Sequence, residues 1–82
     1  MSAEYPTKYS AAYGAELVAQ SVDVALGTSR FKSGISFCTS AHASHEAIER
    51  AFVKSVKRPA EYFVGYSALI VYRALCASHS YA

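Results

Sequence analysis

Little in this sequence points to chemistry. Its 82 residues include no tryptophan, one methionine, two cysteines, two prolines and four glycines. Two cysteines do not make a disulfide framework; Cys38 and Cys76 could at most close one bridge across a helical hairpin. There is no glycine-rich phosphate loop and no carboxylate cluster. Charged residues make up 17%, below the usual quarter, and a net charge of +2 leaves no electrostatic footprint for nucleic acid. The opening MSAEYPTKYSAAYGAE lacks the basic start and apolar core of a secretory signal. It is also not the Arg-rich, acid-poor pattern of a transit peptide, so an organellar signal would be internal or already removed.

What the chain has in surplus is apolar surface. Hydrophobic residues make up 52%, and seven are tyrosines. A chain this short supports one small domain, residues 1–82. A lone domain of that size needs charged surface to stay dispersed, and aromatics are enriched where proteins meet. The composition therefore predicts partner contacts.

The most apolar stretch is Pro59 to Ala77, PAEYFVGYSALIVYRALCA. Wound as a helix, it places Phe63, Val64, Ala68, Ile70, Val71 and Leu75 on one wide face, and Tyr62, Tyr66 and Arg73 with Leu69 opposite. Pro59 suits a first helical position, and Glu61 complements the helix dipole. A bilayer span needs about 20 mainly apolar residues, and Glu61 and Arg73 interrupt this one. Lys54, Lys57 and Arg58 before the run, and Tyr62, Tyr66 and Tyr72 within it, have the make-up of an interfacial belt. Three placements follow: a helix buried in protein, a spanning helix, or a helix lying in a membrane interface.

The rest of the chain reads in order. An extended lead-in with Pro6 precedes a helix over about 10–26, started by Thr7 or Ser10 and ended by Gly27. Leu17, Val18, Ser21, Val22, Val24 and Ala25 share one of its faces; Glu16, Gln20 and Asp23 share the other. Tyr5, Tyr9 and Tyr13, four apart, read as a packing row. Residues 28–43, rich in Ser, Thr and Gly, read as a long linker anchored by Phe31, Ile35 and Phe37. A helix over about 44–58 follows, with Ser44 as N-cap, Glu46 paired to Arg50, and Ile48, Phe52, Val53 and Val56 as its apolar stripe. The fold expected is thus all-α, with three helical segments over about 10–26, 44–58 and 60–77, the last membrane-embedded in one reading.

Cys38, His42, His45, Cys76 and His79 have a zinc composition, but their spacings match no standard finger. Cys38, His42 and Glu46 could be cast as a nucleophilic set, yet so small a chain offers little wall for a cleft. No catalytic residue, metal, cofactor or small-molecule substrate is expected. The function expected is a non-catalytic accessory subunit of a larger, membrane-associated organellar complex of respiratory or ATP-synthase type, at the mitochondrial inner membrane. The alternatives are a cytoplasmic helical adaptor or oligomerisation module, or a Cys/His metal module. Partner contacts are assigned to Tyr62, Phe63, Tyr66, Ile70 and Arg73. Contact with lipid head groups or an acidic partner is assigned to Lys54, Lys57 and Arg58.

Overall fold

The computed structural model describes residues 11–79, with side chains over 12–77. Four α-helices and one short 3-10 turn make up the described fold, with no strand among those residues. The helices are α1 (Ala11–Leu26), α2 (Arg30–Ser40), α3 (His45–Lys54) and α4 (Tyr62–His79); Pro59–Glu61 form the 3-10 turn that leads into α4. The expected lead-in, the caps at Thr7 or Ser10, the tyrosines Tyr5 and Tyr9 and the final residues lie outside the described range.

The helices run up and down in sequence, and α4 closes back on α1. Side-chain contacts fix which ends meet. At one end Thr39 donates to Glu16 (2.7 Å) and the His45 ring lies 6.1 Å from that of Tyr72. At the other, Arg30 reaches Glu61 at 2.6 Å. The core between them holds Val18 and Val22 of α1, Phe31 and Ile35 of α2, Ile48 and Phe52 of α3, and Leu69 and Tyr72 of α4.

The expected linker over 28–43 is instead the helix α2. Its own cap fails: Ser29 makes no side-chain capping bond. The missing acceptor comes from α1, where the buried Asp23 carboxylate takes the amides of Phe31 (3.0 Å) and Lys32 (2.8 Å) and the Thr28 hydroxyl (2.8 Å). Two of the orphan N–H groups of α2 are thereby satisfied by a residue eight positions upstream. Phe31 and Ile35, four apart, then bury completely on one face, while Phe37 points out, 77% exposed, and anchors nothing.

The turn before α2 was legible. Gly27 takes φ 70, and the Thr28 amide bonds the Asp23 carbonyl at 3.0 Å, as in a Schellman motif. Ser44 caps α3 as expected, accepting from the Ala47 amide at 3.2 Å. That helix ends at Lys54 rather than 58, and the expected Glu46–Arg50 pair is not among the ion pairs of the described residues. Gly65 is where α4 meets the end of α3: a β-carbon there would lie 2.6 Å from Val56 Cγ2.

No described helix is long and apolar enough to cross a membrane.

Candidate functional site

The amphipathic division expected of α4 is rotated. Its core side carries Gly65, Ala68, Leu69 and Tyr72, so Leu69 and Tyr72 are inside rather than on an aromatic surface. The apolar residues Phe63 (81% exposed), Ile70 (65%) and Val71 face outward. The reason is steric: the small residues Gly65 and Ala68 let α4 approach its neighbours closely, with Leu69 and Tyr72 filling the space beside them.

Of the five residues assigned to partner contact, all lie on the exposed half of α4. Phe63 and Ile70 point directly away from the core. Tyr62 and Tyr66 stack on each other at 6.1 Å and 15°. Arg73 shares their flank toward α3, where it donates two hydrogen bonds of 3.0 Å to Glu49. That fork holds the Glu49 carboxyl below its ordinary ionisation, the Arg73 hydrogen bonds being the main cause. Arg73 is thus ion-paired within the bundle while its side chain stays exposed.

Sequence reasoning missed the α1 half of this surface. Leu17 and Val24 were grouped with the inward residues Val18 and Val22, but Leu17 is half exposed and Val24 is 77% exposed. Both charged side chains of α1 turn toward α2, Glu16 to the Thr39 hydroxyl and Asp23 to the α2 amides. The two long helices therefore present an outer face from which the charged side chains Glu16, Asp23 and Arg73 turn aside, each hydrogen-bonded within the bundle. The signal was present in the sequence: residues 11–26 contain only Glu16 and Asp23 as charges, and residues 62–77 only Arg73.

Lys54 closes α3, and Lys57 and Arg58 follow on the turn toward α4, all three exposed. Beneath them is the network that fixes this end of the bundle. Glu61, 2% exposed, accepts from Arg30, from the Lys57 amide at 2.9 Å and from Arg58 at 3.4 Å. Arg30 also donates to the Ser55 carbonyl. The Arg30 hydrogen bond first, then the Lys57 amide, pull the Glu61 carboxyl down to about 2 against the opposing effect of burial. Glu61 is therefore a structural ion as well as a dipole partner.

Tyr72 is 1% exposed, packed against Phe52 at 5.9 Å, and its hydroxyl makes no sound hydrogen bond. Burial foremost, then the neighbouring Cys76 thiol, push its ionisation up. Cys38 and Cys76 are half-buried free thiols, so the bridge considered from sequence is not formed. His42 lies exposed in the α2–α3 turn at φ 55. Among the described residues no three of His, Cys, Asp and Glu gather as a metal site. Arg30, Phe37, Cys38, Arg50, Tyr66 and Arg73 border an open groove across α2, α3 and α4, mixed in charge.

No protein-family model, curated protein or solved structure matches this chain.

Proposed function

We propose that the protein is a non-catalytic docking subunit of a larger assembly, acting through the outer face of α1 and α4. One observation carries this reading. The bundle already closes a core around Phe31, Ile35, Phe52 and Tyr72, yet Phe63, Ile70, Val71, Leu17 and Val24 remain outside it. Contiguous exposed apolar surface of this kind marks an interaction site, and depletion of charge is the compositional mark of an interface core. Tyr62 and Tyr66 extend the face toward α3. Lys54, Lys57 and Arg58 form a basic edge suited to an acidic partner or lipid head groups. A membrane-associated organellar complex of respiratory or ATP-synthase type is the setting favoured by the apolar composition, with the mitochondrial inner membrane as its place.

The test is native-gel migration of the endogenous protein after gentle detergent extraction, with the band identified by mass spectrometry. Migration within a large complex is expected, and Ile70→Asp should release the protein while His42→Ala leaves it bound. Migration as a small species, or retention of Ile70→Asp, would sink the proposal.

A further inference from the structure

Resting on that reading of the α1–α4 face, we infer that its first occupant is a second copy of this chain, with the two α4 helices antiparallel across a two-fold axis at Ile70.

The spacing of the outward side chains carries the inference. Phe63, Ser67, Ile70, Ala74 and Ala77 recur at intervals of four and three, the seam of a helix that packs along its length on another. Sizes along this seam are unequal: large at 63 and 70, small at 67, 74 and 77. An antiparallel two-fold pairing centred on residue 70 sets Phe63 of one copy opposite Ala77 of the other. The same operation sets Ile70 against itself and brings Ser67 and Ala74 side by side, one residue out of level. Each large side chain thus meets a small one, except at the axis, where two isoleucines meet. A two-fold interface is isologous, so this self-complementarity is what it requires.

The flanking helix obeys the same operation. Gly14 lies against Leu75, which puts residue 70 of α4 level with the middle of α1, near Ala19. The axis then sets Leu17 opposite Ser21, again large against small.

Charge and area agree. A two-fold brings like next to like, so a self-pairing face must avoid unpaired charge. Glu16, Asp23 and Arg73 are all engaged within the bundle. At the exposures of Phe63, Ile70, Val71, Leu17 and Val24, these side chains supply roughly 600 Å² of apolar area per copy, and the exposed Gln20, Ser21 and Ala25 bring it near the ~800 Å² per partner of a standard interface. A bilayer fits this face less well. In-plane helices are rimmed by Lys and Arg, whereas Lys54, Lys57 and Arg58 sit on a single turn and α1 carries no basic residue.

The purified full chain tests this by light scattering over a range of concentrations. Wild type is expected at twice the monomer mass. Ile70→Glu, which places two carboxylates face to face at the axis, should give a monomer with unchanged far-UV helicity. Mild oxidation of Ile70→Cys should give a disulfide-linked dimer well above the wild-type background, and Lys32→Cys on the far side of the bundle should not. A wild-type monomer at all concentrations, a dimer that survives Ile70→Glu, or no Ile70→Cys cross-link would each overturn the inference. So would a monomer that binds phosphatidylserine vesicles through this face. A monomeric chain whose endogenous form still migrates in a large complex refutes the pairing alone. A dimer whose endogenous form migrates as nothing larger refutes the docking role alone.

Discussion

The α2–α3 half and the α1–α4 half of the bundle are built from opposite resources. α2 has only Phe31 and Ile35 buried and lacks a cap of its own. It is held by groups lent from elsewhere, Asp23 at its first amides and Glu61 at Arg30. α1 and α4 are long and apolar, and they carry more hydrophobic surface than the core can take. One half is short of stabilising contacts and depends on buried ions; the other has apolar contacts left over. Polar groups hold the fold's weakest helix, and apolar groups are spent on its outside, which reverses the usual division.

The most direct way to break the first half is Asp23→Ala. It leaves two amides of α2 without an acceptor in a buried setting, and hydrogen bonds to a charged group are worth about 1.5–3 kcal/mol each. A loss of about 3 kcal/mol is expected in urea unfolding, with hydrogen-exchange protection lost first over residues 30–40. An equal loss spread over all four helices would remove the special dependence of α2.

Acid sharpens the same contrast. The folded Glu61 carboxyl lies near 2, below its ordinary 4.5. Its ion pairing therefore stabilises the fold fully above pH 4.5, and that contribution is lost as pH falls from 4.5 toward 2. The gap in thermal midpoint between wild type and Glu61→Gln should narrow through that window. A gap that stays constant would mean Glu61 is not the ion responsible.

Gly65→Ala tests the other half. The added methyl meets Val56 at 2.6 Å; overpacking costs about 1–3 kcal/mol and the gain in helix propensity returns about 1, for a net loss of about 1 kcal/mol. Smallest of all is Val24→Ser on the outer face. At concentrations where the chain is monomeric it should change stability by less than about 0.5 kcal/mol. A larger loss would show that Val24 already packs within the monomer.

Three helices were legible because their caps and apolar spacing are local: Gly27 behind α1, Ser44 before α3, Pro59 before α4. α2 was not, because its cap is Asp23, a residue that reads as the solvent side of α1. The same non-locality hid Glu61 and Arg30, which are 31 positions apart. The exposed bulky residues Tyr62, Phe63, Tyr66 and Ile70 could be picked from sequence, since they lie in the most apolar stretch. Which side of α4 faces in could not. Hydropathy favours neither side, and what decides is the smallness of Gly65 and Ala68, a steric property that apolar periodicity does not register.

The closure of α4 onto α1 has a consequence for biosynthesis. Neighbouring helices pair along the chain, but the first helix completes its packing only with the last. During translation α1 and α2 can join through Asp23 as soon as they emerge. The α4-facing side of α1, around Gly14, stays wet until α4 leaves the ribosome. A chain stopped at Arg58 has three walls of a four-walled core and lacks Tyr72, its largest buried side chain. A chain stopped there is expected to be cut by protease under conditions where the complete bundle resists.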